Sequence, residues 1–331
     1  MRVALKDIAK VAGVSINTVS RALKNRSDIG EKTRKRIQTI ADEMGYVPNH
    51  TAQSLKLRRF NTIGLLTNEM DNPVRTRFIE RLRRIAAEND FQLLVSGLEY
   101  GNPGANLQSL IGRGVDGIII GNIAGNLKKH ELWPQIKNIL NSKIPLVLFD
   151  NIKNDLVDSV YVDYFRNSKM LVQYLIEEGH RRISFFGYCK NSQRFEAYRQ
   201  TMLEAGLKAE CLELKNIELD GVREAIKELL KTSDLPEAIV ARNDLVAIAA
   251  MAGLRDMGIK VPEDIAVAGF DNIEMAKFMN PALTSVGIDF NLLAQSLFDM
   301  LLERINGKVV EPAKCVEIEG KLFIRESSKK L

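Results

Sequence analysis

The feature that most constrains this chain is a pattern that begins after residue 60. Short, unbroken apolar runs alternate with amphipathic stretches. "TIGLLT", "FQLLVS", "GIII" and "IPLVLF" are too uniformly apolar for strands with one wet face. Such strands belong in a parallel sheet, whose crossover connections lay helices over both faces. Between the first two runs, Pro73 to Asn89 reads as a helix with Phe78, Leu82, Ile85 and Ala86 on its inner face. From about residue 160 the theme restarts. "SKMLVQYLIEEGHRRISFFG" is helix then strand, "RFEAYRQTMLEAGL" is a helix, and "EAIVARND" and "DIAVAGFDN" end further strands. Two similar α/β lobes with parallel sheets are therefore expected. The first should span about 61–160 and 290–318, the second about 161–289 and 319–331.

Sheets of this kind bind ligands beyond the C-terminal ends of their strands. Two lobes facing each other would enclose a ligand between them, and crossovers between lobes permit closure. The residues expected at those ends are polar: Asn68, Asp71, Asp150, Arg194, Asn243, Asp244 and Asp271. Carboxylates, amides and Arg suit a ligand rich in hydroxyls, since each hydroxyl both donates and accepts.

The 331-residue length favours two or three domains, and 45% apolar with 27% charged residues is the composition of a soluble globular protein. No apolar run is long enough to span a bilayer. The N-terminus has no apolar stretch between a basic start and a cleavage site, so a cytoplasmic location without membrane contact is expected. Cys189, Cys211 and Cys315 lack metal-ligand spacing and are expected as buried, reduced thiols. The charge is unevenly placed. Residues 1–60 hold 13 Lys or Arg against 5 Asp or Glu, while the remainder holds 34 against 37. A basic module on a slightly acidic body points to a polyanionic partner for the module alone.

Within that module Leu5, Ile8, Ala9 and Ala12 form one apolar helix face. Gly13 suits the stop and Ser15 the N-cap of a second helix. Val19, Ala22 and Leu23 give the second helix a narrow inner face. Ile37, Ile40, Ala41 and Met44 repeat the helical spacing, and Gly45 closes the third helix. Three short helices around a small core make a helix-turn-helix bundle. The outer face of its second helix then fits a DNA major groove. Ile16, Asn17 and Arg21 are expected on base edges; Thr18 and Ser20, with Lys6, Lys32 and Arg34, suit phosphates. Asn49 to Leu57 has the length of about two helical turns, marginal alone in water and expected to order on a partner. Leu55 is a lone large apolar side chain there, suited to wedging between base pairs in the minor groove.

These residues carry a resemblance. "LKDIAKVAGVSINTVSRALKN", "TRKRIQTIADEMGYVPNHTAQSL", "YRQTMLEAGL" and "ARNDLVAIAAMAGLRDMGIKVPEDIAVAGFDN" are similar to the lactose/galactose repressor family over essentially the whole chain. The resemblance implies a helix-turn-helix domain at 1–45, a hinge helix and linker at 46–60, and a periplasmic-binding-protein-like, two-lobed effector-binding and dimerisation body at 61–331. It adds Ser15, Asn49, His50 and Ala52 to the DNA-binding set and puts Leu55 at the family's minor-groove position. It carries the effector-contacting roles to Asp150, Arg194, Asn243 and Asp271. Asp71, Arg75 and Asp163 complete the candidate effector set. Where relatives often have aromatic rings, this chain has Val74, Arg75 and Gly221. Arg75 beside Arg194 then favours an anionic or unusually polar effector.

The expected function is a sequence-specific transcriptional regulator without cofactor or metal, most simply a repressor of sugar-utilisation genes. It would act as a homodimer on near-palindromic double-stranded operator DNA, under control of a sugar or sugar-like molecule between the lobes. A protein co-effector in place of the small molecule, and a solute-binding protein, are the alternatives. No G-x-S-x-G, H-E-x-x-H or phosphate-loop pattern occurs, and His50, His130 and His180 stand apart, so no catalysis is expected.

Overall fold

Gly13 at φ +64° and Ser15 at the next cap build the tight turn at the start of the chain. In the computed structural model, residues 3–46, 59–68, 72–98, 103–121, 131–150, 156–190, 192–215, 218–232, 235–308 and 312–329 are described, Asp150 and Thr232 by their backbone only. The hinge candidates Asn49, His50, Ala52 and Leu55 and the cleft candidate Asp71 lie outside the described residues, as do His130 and the side chain of Asp150. The chain divides into two units, Met1–Phe60 and Asn61–Leu331.

The first unit holds helices α1 (Leu5–Ala12), α2 (Ile16–Leu23) and α3 (Glu31–Glu43). Gly13 supplies the left-handed residue that stops α1. The Ser15 hydroxyl accepts from the Thr18 backbone N–H at 3.1 Å and so starts α2. Ile8, Val19, Ala22 and Ile37 are fully buried, with Ala9, Ala12 and Ala41 beside them. The alanines let three short helices approach closely around one small core. Arg36 of α3 donates to the Ala12 carbonyl at 2.5 Å, satisfying the C-terminal end of α1.

The second unit contains two six-stranded sheets. The first is built from β1 (Thr62–Thr67), β2 (Gln92–Gly97), β3 (Gly117–Gly121), β4 (Leu146–Asp150), β5 (Ser159–Tyr161) and β11 (Cys315–Glu317), in the order β11-β5-β4-β3-β1-β2. Every pairing in it is parallel. The second uses β6 (Ile183–Gly187), β7 (Glu210–Glu213), β8 (Ala238–Ala241), β9 (Ala266–Phe270), β10 (Thr284–Gly287) and β12 (Lys321–Phe323), in the order β12-β10-β9-β8-β6-β7. It is parallel except at its edge, where β12 runs antiparallel to β10. Apart from the last strand, each sheet has the same doubly wound order. The chain doubles back on either side of β1 in one sheet and of β6 in the other.

Helices α4 (Pro73–Glu88), α5 (Pro103–Gly112), α6 (Trp133–Asn141) and α11 (Phe290–Ile305) cover the first sheet. Helices α7 (Tyr164–Glu177), α8 (Gln193–Glu204), α9 (Leu219–Thr232) and α10 (Asp244–Asp256) cover the second. The chain therefore passes between lobes three times: after β5, after β10, and between β11 and β12. Within the first lobe, a half-buried ion pair ties the end of α11 to the starts of β5 and β11. Arg304, near the end of α11, makes two hydrogen bonds to Asp158, at 2.5 and 2.7 Å. The same carboxylate accepts from the Lys314 backbone N–H at 2.7 Å, which seats β11 beside β5.

The fold also brings two of the three cysteines together. Cys189 and Cys211, expected as separate thiols, stand next to each other, with Cα atoms 6.5 Å apart, while Cys315 is free. Pairing of β6 with β7 brings together residues 22 apart in sequence, which spacing alone does not reveal.

Replacing Ile37 by Ala empties a fully buried position of the small helical core. The expected cost is about 2–5 kcal/mol, comparable with the whole stability of a unit this small. Thermal melts followed by circular dichroism should show the transition of the first unit lowered or lost. The transition of residues 61–331 should stay in place.

Candidate functional site

The C-terminal ends of both parallel sheets border one cavity of about 380 Å³. From the first lobe it is lined by Asn68 just past β1, by Asn72, Val74 and Arg75 at the start of α4, and by Phe149 near the end of β4. The Asn72 side chain accepts from the Val74 N–H at 3.0 Å and caps α4. Arg75 is only 9% exposed, and its guanidinium lies 5.5 Å from the centroid of the Phe149 ring. Helix α4 thus turns a buried cation, rather than an aromatic ring, toward the cleft.

The second lobe contributes more of the wall. Arg194, in the first turn of α8, donates to Asp271 at 2.7 Å and to the Arg242 carbonyl at 2.6 Å. Its guanidinium lies 4.6 Å from the ring centroids of both Tyr164 and Phe270. Burial pulls the Arg194 pKa down, but the nearby Asp271 charge and hydrogen bond outweigh it and raise the pKa. Arg194 therefore stays charged and held in one orientation. Its acceptors are supplied by the ends of β8 and β9. Asp271 has φ +98° and Asn272 φ +46°, a conformation costly for residues other than glycine. They are fixed by three contacts: Asp271 N–H to the Val286 carbonyl at 2.7 Å, Asn272 N–H to the Ser285 hydroxyl at 2.9 Å, and Arg325 to the Asn272 side chain at 2.5 Å. Gly187 makes room for Arg242, because a Cβ there would lie 2.6 Å from the Arg242 Cβ. The Arg242 guanidinium sits 4.7 Å from the Tyr188 ring centroid.

Of the expected effector residues, Arg75, Arg194, Asn243 and Asp271 all line the cavity, as does Asn68. Asn243 also caps α10, its side-chain oxygen accepting from the Val246 N–H at 2.9 Å, so its amide N–H₂ is what it offers a ligand. Asp163 caps α7 by accepting from the Arg166 N–H at 2.8 Å, and the next residues of that helix, Tyr164 and Asn167, line the cleft. Asp244, expected at the cleft, is instead fully buried. Its carboxyl accepts from the Ser285 hydroxyl at 2.7 Å and the Ile273 N–H at 2.9 Å. Sequence reading missed Phe149, Tyr164, Tyr188, Lys190, Arg242 and Phe270. Four of them stand at strand ends, where the rule that pointed to Asp271 also points to Phe149, Tyr188, Arg242 and Phe270. Phe149 and Phe270 are rings inside their strands, while Tyr188 and Arg242 follow theirs by one residue.

On the first unit, Lys6, Ser15, Asn17 and Arg21 are exposed, and Ile16 is 52% exposed although it is a large aliphatic residue. Thr18 and Ser20 are half-buried. The Ser15 and Thr18 hydroxyls bond each other at 2.8 Å. Arg21 forms an ion pair with Asp28. Arg34, expected at phosphates, donates to the Ile29 carbonyl at 2.9 Å and so braces the loop before α3.

Comparison with known proteins agrees with both halves. Residues 4–49 match the model of the bacterial regulatory proteins of the lacI family, and residues 172–328 match a periplasmic binding protein-like domain. The chain is 30% identical over 335 residues to the HTH-type transcriptional repressor PurR of Pectobacterium atrosepticum, covering 98% of this chain and 96% of that protein. A complex of the transcriptional regulator CelR with cellobiose superposes with a TM-score of 0.69 at 27% identity, covering 98% of this chain and 100% of that one. The lac repressor dimer bound to operator and the anti-inducer ONPF shares the fold, with a TM-score of 0.83 at 23% identity over 99% of each chain. A helix-turn-helix unit joined to a periplasmic-binding-protein-like body defines a class of transcriptional regulator rather than an enzyme. The chain belongs to the lacI family of bacterial regulatory proteins. Among the described residues, no helix is long and apolar enough to cross a membrane.

Burial, with the Asp271 charge adding to it, raises the Asp244 carboxyl from its ordinary value of 3.8 to about 7. The folded chain then holds this proton more tightly than the unfolded chain. The associated stability is complete below pH 3.8 and is lost as pH rises through about 7. Asp244→Asn should flatten that decline. The check is the melting temperature of residues 61–331 between pH 5 and 8, compared for the two proteins.

Proposed function

We propose that this regulator represses sugar-utilisation genes, and that a small polar effector, a sugar or sugar derivative, sets its affinity for operator DNA from the cleft between the two lobes. The carrying observation is the cleft itself. Both sheets end on it, both lobes line it, and Arg194 is held charged within it by Asp271, the Arg242 carbonyl and two rings. A molecule touching both lobes favours one lobe arrangement over another, which is the condition for a ligand to shift an equilibrium. Arg75, Asn243, Asp271 and Arg194 are the proposed contacts, with Asp71, Asp150 and Asp163 carried over from the sequence. The cellobiose bound by CelR supports a carbohydrate class of effector.

On DNA, Ile16, Asn17 and Arg21 are assigned to base edges in the major groove, and Lys6, Ser15, Thr18 and Ser20 to the backbone. Exposure of Ile16 at the start of α2 supports this, because an aliphatic side chain left in water suits contact with a thymine methyl group. Asn49, His50, Ala52 and Leu55 are assigned to the hinge and the minor groove on the resemblance alone. Two copies of the chain would present two reading helices to the two halves of a near-palindromic operator.

The test is operator binding by fluorescence anisotropy on genomic fragments, with and without a panel of sugars. A fragment-specific affinity that a sugar shifts is expected. Fragment-specific binding that no small molecule alters would transfer control to a protein co-effector. Arg194→Ala should abolish the sugar response and leave binding without sugar intact. Arg21→Ala should relax preference at one base pair per half-site by about 1–3 kcal/mol, read by binding to a set of single-base operator variants. A uniform loss across all variants would move Arg21 to the phosphate contacts.

A further inference from the structure

We infer that Cys189 and Cys211 are a reversible oxidation site, and that the disulfide between them fixes one wall of the cleft. The regulator then answers to the state of the thiol pool as well as to its effector. The consequence for an effector rests on the reading of the cleft given above; the bond itself does not. The two Cα atoms stand 6.5 Å apart, inside the range of about 4.4–6.8 Å that a disulfide spans. Both residues are half-buried, so a small thiol reagent reaches them. A protein that works on bacterial DNA meets thiols that keep cysteines reduced, and pairs that bond there are usually transient and redox-sensing.

The two cysteines come from segments of different character. Cys211 lies in β7, the edge strand, opposite Phe185 of β6. The start of that strand is pinned, because the Tyr198 hydroxyl donates to the Ile183 carbonyl at 2.7 Å and accepts from the Glu210 N–H at 2.8 Å. Cys189 stands two residues past the end of β6, outside any helix or strand. The chain turns back there, beyond the Gly187 carbonyl that accepts from the Leu214 N–H at 3.0 Å. Tyr188 and Lys190 flank Cys189, and both line the cleft. The Tyr188 ring also lies against the Arg242 guanidinium. A covalent bond from Cys189 to β7 therefore ties a loose stretch of the cleft wall to a fixed strand. The oxidant is a low-molecular-weight disulfide. One cysteine thiolate attacks a sulfur of that disulfide, its S–S bond breaks, and a small thiolate leaves. The other cysteine thiolate then attacks the protein-bound sulfur of the mixed disulfide and expels the second small thiolate. The protein loses two electrons and two protons, and the small disulfide takes them up as two thiols.

The experiment equilibrates the full-length protein in buffers of oxidised and reduced glutathione at several ratios. Free thiols are trapped by alkylation, and the peptides are mapped by mass spectrometry. A Cys189–Cys211 link should appear as the oxidised share rises and vanish on return to the reduced form. Cys189→Ser and Cys211→Ser should each abolish it, and Cys315→Ser, in the other sheet, should leave it intact. Melts in reducing buffer establish that each variant folds. Hydrogen exchange then reads the wall: amides of Tyr188, Cys189 and Lys190 should exchange several-fold more slowly in the oxidised protein, and this difference should be absent from both single variants. Three results overturn the inference: no link at any glutathione ratio, a bond that joins two chains or uses Cys315 instead, or a bond that no ratio of the buffer reverses. A reversible link that leaves exchange at Tyr188 to Lys190 unchanged overturns the coupling to the cleft wall. None of these outcomes touches the effector reading, which stands or falls on the sugar response of operator binding.

Discussion

Arg194 is the interaction on which the second lobe's half of the cleft depends. One guanidinium at the start of α8 joins the end of β8 through the Arg242 carbonyl and the end of β9 through Asp271. The rings of Tyr164 at the start of α7 and Phe270 at the end of β9 lie against it, each centroid 4.6 Å away. Four elements separated by more than a hundred residues of sequence are fixed to one planar charge. That charge is worth its desolvation only while Asp271 faces it; removal of one partner of such a pair leaves a buried ion and costs about 3–5 kcal/mol. The strained backbone at Asp271 and Asn272 is held by a second set of contacts from Val286, Ser285 and Arg325. Local strain kept in place by surrounding structure is a mark of a working site.

The two units meet different physical requirements. The first has little apolar surface to bury, and its small residues allow close approach of three short helices around Ile8, Val19 and Ile37. Stability there is narrow, and the polar face of α2 is exposed. The second unit buries two parallel sheets on both faces, and the chain passes between its lobes three times. A body joined by several strands of chain keeps its lobes in register while leaving their separation adjustable. The bonds of Arg304 to Asp158, and of Asp158 to the Lys314 N–H, secure the return path so that β11 completes the first sheet.

Much of this was legible before any coordinates. Unbroken apolar runs announced strands covered on both faces, and β1, β3, β4, β6, β8 and β9 stand where those runs fall. Helical spacing gave the inner faces of α1, α2 and α3, because a 3.6-residue period is a local property of the chain. Strand-end polarity led to Asn243 and Asp271, since strand ends are readable from where an apolar run stops, and Arg194 stands in the turn that follows β6. The same rule erred at Asp244. It directly follows Asn243, and that single step turns a side chain from the cleft toward Ser285 and the Ile273 N–H. Periodicity cannot resolve a single step of rotation at a helix start.

By itself the sequence determined which segments fold into helices and strands, the division into a basic helical module and an α/β body, and the family. These follow from residue type and spacing within short windows, where local sterics and the burial of apolar faces decide the outcome. Tertiary structure alone decided which distant groups share a space. It brought Arg75 over Phe149, placed Tyr164 and Phe270 against Arg194, set Cys189 beside Cys211, and buried Asp244. Those contacts depend on the order in which strands enter a sheet, and that order is set by the packing of the whole body rather than by any one stretch of chain.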